Sequence, residues 1–202
     1  SPDLPPEGPF YLKPRDGANW SDWRTAPDER DGDNWALEEI AAPLAWGCST
    51  GDSLLSIGVV DEGFQDVDDL RQNVNPLSSP LYGLSPSDHG TGVASIISAS
   101  GNNSAGITGV MWRGQLFLQN VNATPVLGTA RVIQSVHRML ARGIRIINLS
   151  RGFVFSTPQA GSPYQRPNLQ LARRYLAREL QRAIAAGRDP LLVISAGNNG
   201  MD

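Results

Sequence analysis

Four short, unbroken apolar runs constrain this chain more than any other feature: residues 54–60 (LLSIGVV), 115–121 (QLFLQNV), 144–149 (IRIINL) and 191–196 (LLVISA). Each has the length of one strand. Continuous rather than alternating apolarity suits strands buried on both faces, which is the condition of a parallel sheet. Helical patterns lie between them. Residues 35–46 read as a short helix, and 91–99 as a compact helix of small residues. Residues 129–142 place Val132, Val136, Met139 and Leu140 on one side. Residues 168–186 place Leu169, Ala172, Leu176, Leu180 and Ala183 on an apolar stripe. The alternation predicts an α/β fold, an open parallel sheet with helices on both faces and right-handed crossovers. A buried strand needs neighbours on both sides, yet only six residues follow the last run, so the sheet is expected to be incomplete in this chain.

Composition narrows the class. At 202 residues and 40% apolar content, the length fits one domain with an ordinary core. Residues 1–34 are rich in Pro, Gly, Asp and Asn and read as a mostly irregular extension, tied down by Trp20 and Trp23. Residues 35–202 carry the domain. The single cysteine, Cys48, rules out a disulfide within the chain. No apolar run approaches the ~20 residues that span a bilayer. The first ten residues lack the basic-then-apolar pattern of a signal peptide, which suits a cytoplasmic protein or one whose signal has been removed. Residues 1–70 hold 16 acidic and 4 basic side chains; residues 71–202 hold 4 and 13. Arg173, Arg174, Arg178 and Arg182 could bind a phosphate-rich partner, but a solvated helix face accounts for them. No nucleic acid and no membrane partner is expected.

In open α/β sheets function gathers at the carboxyl ends of the strands. Asp61 ends the first run, His89 opens the glycine-rich stretch DHGTGVASIISAS, Ser150, Arg151 and Gly152 end the third run, and Asn198 follows the fourth. Each has a structural reading by itself: a turn at Asp61 and at Asn198, a capping or buried histidine at His89. The other histidine, His137, sits mid-helix and reads as structural or exposed. Together, a carboxylate, an imidazole and an amide donor at strand ends make most of an acyl-transfer site. Asp61 would orient the imidazole, His89 would act as general base and then general acid, and Asn198 would donate to the oxyanion.

The stretches IGVVDEGF, HGTGVASIISAS, INLSRG and VISAGNNG, in that order, resemble the successive signatures of the subtilisin-like serine proteases. WALEEIAAPLAW is similar to the helix preceding that family's first catalytic strand. The resemblance implies a subtilisin-like fold and a polypeptide substrate. It makes Asp61 and His89 members of an Asp-His-Ser triad and Asn198 the oxyanion-hole donor. Ser150, Arg151 and Gly152 become the edge where an extended peptide adds as a strand. Secretion is the location it implies, although intracellular members exist. No cofactor is required. GNNSAGITG at 101–109 is similar to a family calcium-binding loop, and it reads equally as a plain turn. The acidic cluster of Asp66, Asp68 and Asp69 fails the EF-hand pattern at Leu70.

Departures matter as much. Glu62 stands where the family commonly has Thr, placing a second carboxylate beside the site. Arg151 replaces a usual apolar residue, which points to acidic substrate side chains. The family's nucleophile lies in a Gly-Thr-Ser-x-Ala stretch, and no Gly-Thr-Ser occurs in these 202 residues. Ser150 and Ser195 do not match its setting. The expectation is therefore the N-terminal portion of a serine endopeptidase, inactive alone and completed by a C-terminal segment or second chain. The alternative is an inactive peptide-binding module of the same fold.

Overall fold

A computed structural model describes residues 35–78, 87–101, 103, 107–121, 125–150 and 165–195. The predicted extension at 1–34, with Trp20 and Trp23, lies outside them. In chain order the elements are α1 (Trp35–Glu39), α2 (Ala42–Trp46), β1 (Gly51–Asp61), α3 (Asp68–Arg71), α4 (His89–Ser98), β2 (Arg113–Asn120), α5 (Pro125–Ala141), β3 (Ile146–Leu149), α6 (Gln165–Ala185) and β4 (Leu191–Ile194). The chain forms two compact units. Of the described residues, one comprises those up to 55 with those in 66–74 and 94–115; the other comprises those in 56–65, 75–93 and from 116 onward.

In the first unit, the helix expected over 35–46 is two helices. Pro43 has no N–H to give to an upstream carbonyl, so the chain breaks at Ala41 (φ 55°) and restarts with Pro43 in the first turn of α2. Leu37, Ala42 and Trp46 pack with Trp112, whose ring meets Trp46 edge-on at 5.2 Å, and the Trp46 indole donates to the Val110 carbonyl. Buried Asn73 uses its amide on the Ser98 carbonyl and hydroxyl and on the Trp112 carbonyl. Asp68 and Asp69 of the acidic cluster open α3, whose Arg71 pairs with Asp68 and with Asp66 ahead of the helix.

All four apolar runs are strands. The sheet order is β2-β1-β3-β4, with β1–β3 and β3–β4 parallel and Val60 level with Leu149, Leu149 level with Ile194. Residues 57–61 of β1 are buried without alternation, as expected for a strand covered on both faces. In the second unit the predicted stripes meet one sheet face. Val132, Val136, Met139 and Leu140 of α5 and Leu176, Leu180 and Ala183 of α6 pack with Val60, Phe117, Ile147 and Leu149. Gly58 admits this packing: a Cβ there would stand 2.3 Å from the Met139 sulfur. The Arg188 guanidinium donates to the Leu140 carbonyl, at the C-terminal end of α5. The fourth strand departs from the others. Leu191, Val193 and Ile194 keep about half their surface exposed, and only β3 pairs with β4 among the described residues. Among those residues no helix is long and apolar enough to cross a membrane.

His137 projects from α5 to Glu179 of α6, with Nδ1 2.6 Å from Oε2, while Arg182 donates to Oε1 at 2.6 Å. The His137 hydrogen bond, helped by the charges of His137 and Arg182, lowers the Glu179 carboxyl below its ordinary value against the opposing effect of desolvation. Because the folded-state value lies under the unfolded one, the stabilisation is complete above the unfolded value and disappears as pH falls through the folded one. Glu179→Gln should therefore cost about 0.3–1 kcal/mol at neutral pH. The difference from wild type should vanish in acid, as read by urea unfolding across a pH series.

Candidate active site

Strand β1 delivers its last side chain, Asp61, into the interior: only 1% of that carboxylate is exposed. Such a charge is stable only if hydrogen-bonded. Two donors converge on Oδ1, the Glu62 backbone N–H at 2.7 Å and His89 Nδ1 at 2.8 Å. The second oxygen, Oδ2, is buried and has no partner among the described residues. An ionised carboxylate only accepts, so Nδ1 of a neutral His89 carries the ring proton and Nε2 presents its lone pair. The His89 side chain is 55% exposed. A buried anion thus holds an accessible base in one tautomer, the arrangement that general base catalysis needs.

His89 opens α4, two residues earlier than the sequence pattern placed the helix start. The first N–H groups of a helix have no partner within it. Here every one of the first four is satisfied: His89 N–H by the Ser87 hydroxyl, Gly90 N–H by the Glu62 carbonyl, Thr91 N–H by the Gly63 carbonyl, and Gly92 N–H by the Asp88 carbonyl. Two of the four acceptors belong to the loop that follows Asp61. The segment carrying the acid is thereby fastened to the turn carrying the base.

That fastening depends on Gly63, Phe64 and Gly90. Gly63 has φ +73°, and a Cβ there would fall 1.8 Å from the Ser87 carbonyl oxygen. Phe64 is 1% exposed and lies under Gly90, whose own Cβ would strike its ring at 2.8 Å. The signal for both was present as a glycine two residues beyond Asp61 and one directly after His89. Ser150 follows Leu149 at the carboxyl end of β3, one step past the Val60–Leu149 pair and so level with Asp61. Its hydroxyl accepts from the Asn148 amide at 2.7 Å. Asp61 and His89 are brought within hydrogen-bonding distance; Arg151, Gly152 and Asn198 lie outside the described residues.

The loop after α4 is anchored within the first unit. Asp69 accepts from the Asn103 amide at 2.6 Å and from the Ile107 N–H at 2.8 Å, and its carbonyl accepts from Ser100 N–H.

Residues 52–202 match the family model described as Peptidase_S8, the subtilase family. Halolysin of Haloferax mediterranei is 30% identical over 139 residues, 63% of this chain and 27% of that protein. MycP1 from Mycobacterium smegmatis shares the fold with a TM-score of 0.58 at 18% identity, over 83% of this chain and 46% of the other. The nisin leader peptidase NisP from Lactococcus lactis superimposes with a TM-score of 0.53 at 20% identity, over 79% and 48%. A lanthipeptide protease gives 0.59 at 18% identity, over 82% and 45%. The chain thus spans about a quarter of the halolysin and about half of the solved structures it resembles.

Gly63→Ala tests the fastening. It should destabilise the protein by more than ~1 kcal/mol, since alanine is both strained at positive φ and obstructed by Ser87. Denaturant unfolding reads the loss; a variant as stable as wild type would show that the 62–65 loop does not hold this backbone.

Proposed function

This chain belongs to the subtilase family, and on that premise we propose that it is the Asp- and His-bearing part of a serine endopeptidase. The observation that carries the reading is the Asp61–His89 pair, buried acid against accessible base, at the carboxyl edge of a parallel sheet. His89 Nε2 would take the proton of a serine hydroxyl as it attacks a peptide carbonyl, and return it to the leaving amine. Asp61 would stabilise the imidazolium formed between those steps, and Asn198 would donate to the oxyanion. Ser150, Arg151 and Gly152 would receive the substrate as an added strand.

The nucleophile is proposed to lie in a C-terminal segment or second chain, since no Gly-Thr-Ser occurs here. The fourth strand supports this. Ile147 and Leu149 are level with Leu192 and Ile194 and face α5 and α6, while Ile146 and Asn148 are level with Leu191 and Val193 on the other face. On that other face Val59 of β1 is fully buried, Ile146 and Asn148 are half-buried, and Leu191 and Val193 are more than half exposed. An apolar face that opens progressively toward one edge suits a further layer carried by the completing segment.

Calcium binding by the 101–109 loop is a separate proposal. Asp69 and Asn103 bring hard oxygen atoms to its base, although protein N–H groups already occupy both Asp69 oxygens. A rise in unfolding temperature on adding calcium, absent in Asp69→Asn, would support it; no rise would leave the hydrogen bonds alone closing the loop.

Labelling the purified native protein with a fluorophosphonate probe, followed by denaturing intact-mass analysis, tests the main proposal. A co-purifying segment labelled once is expected. A single unlabelled polypeptide would instead favour a binding module without turnover. In the completed enzyme His89→Ala should nearly abolish turnover, and Asn198→Ala should lower it by about 10²–10³ with little change in affinity.

A further inference from the structure

The helix that carries His89 is fastened to the loop after Asp61 by backbone groups and by the side chain of Thr91. Its hydroxyl oxygen accepts the Gln65 N–H at 2.8 Å and lies 3.4 Å from the Gly63 carbonyl, to which it can donate. The same carbonyl accepts the Thr91 N–H at 3.1 Å. Thr91 therefore grips the loop on both sides of buried Phe64 while its own backbone forms the first turn of α4. One residue earlier, Gly90 N–H takes the Glu62 carbonyl, and the Glu62 N–H takes Asp61 Oδ1. A continuous hydrogen-bonded path thus runs from the Thr91 hydroxyl through residues 62–65 to the carboxylate that orients His89.

We propose that Thr91 is a positioning residue for the Asp61–His89 pair: its hydroxyl sets the distance between the acid-bearing strand end and the base-bearing helix turn. The proposal deepens the endopeptidase reading and rests on it only for the kinetic consequence. The physical basis is the short reach of the contact it controls. A hydrogen bond at 2.8 Å weakens steeply with displacement or misalignment. Asp61 cannot follow a displaced His89, because it ends a strand buried on both faces. Without the hydroxyl, the half-buried Gln65 N–H loses its acceptor and the loop must move to find another.

The test compares Thr91→Val, which keeps the shape and removes the hydroxyl, with Thr91→Ser, which keeps the hydroxyl, in the intact protein. The first readout is the low-field proton resonance of the His89 ring N–H in the hydrogen bond to Asp61, assigned by its loss in His89→Gln. Thr91→Val should abolish that resonance or move it upfield, and Thr91→Ser should restore it. In the completed enzyme Thr91→Val should lower kcat by about 10²-fold with KM changed less than about twofold, the pattern of a displaced reacting group. An unchanged resonance in a folded Thr91→Val protein would overturn the proposal. So would equal loss of stability in both variants with the resonance intact, which is what a merely structural threonine would give. If Thr91→Val does not fold, Thr91→Ala replaces it; failure of both, with Thr91→Ser normal, would assign the hydroxyl to folding and again overturn positioning. Absence of turnover in the completed wild-type enzyme would count against the endopeptidase reading, while the resonance would still decide the role of Thr91.

Discussion

A carboxylate withdrawn from water at the end of a strand is the constraint on which the rest of this structure depends. Asp61 has almost no exposed surface, so its charge must be met by donors held in place by the fold. The Glu62 N–H and the His89 ring supply them, and both converge on one oxygen. The histidine must then be brought 28 positions along the chain to within hydrogen-bonding distance. Most of the local architecture serves that approach. Gly63 turns where a side chain would strike Ser87, Gly90 passes over Phe64, and the Gly90 and Thr91 N–H groups of α4 close on the loop carbonyls.

The sheet supplies the rigidity. Strand β1 is flanked by β2 and β3 and buried on both faces over its last five residues, so Asp61 has little freedom. Beneath it, α5 and α6 cover one face through the stripes of Val, Met and Leu, and the His137–Glu179 hydrogen bond joins the two helices. Toward β4 the cover thins, and large aliphatic side chains meet solvent. Among the described strands, burial is therefore most complete at the end of β1 and least at β4, the edge where the proposed completing segment would add.

Much of this was legible in the order of residues. The four strands were readable because unbroken apolar runs of strand length suit strands covered on both faces, a condition that residues 57–61 of β1 meet and β4 does not. Asp61 and His89 stood out as polar groups at strand and helix ends inside four ordered motifs, and the match of residues 52–202 to the subtilase family bears out the family resemblance of those motifs. Other features were not legible. The break at Ala41 was hidden because Ala is a strong helix former and Pro43 acts two residues downstream. The helix start at His89 rather than Thr91 was hidden because its N–H groups are satisfied from a distant loop, which local propensity does not register. Thr91 itself looked like one small polar residue in a run of small residues.

What the sequence alone determined are properties carried by single residues and by short periods: which segments become strands, which helix faces are apolar, and which groups have the chemistry of an acid and a base. These follow from side-chain size, polarity and backbone preference within a few positions. Only the tertiary structure decided which atoms meet. That Asp61 Oδ1 rather than Oδ2 receives His89, that Thr91 reaches back to Gln65, and that Leu191 and Val193 are left uncovered depend on contacts between segments far apart in the chain. Hydrogen bonds are specific to tenths of an ångström, and that precision arises only when the packed elements on both sides of the contact are already in place.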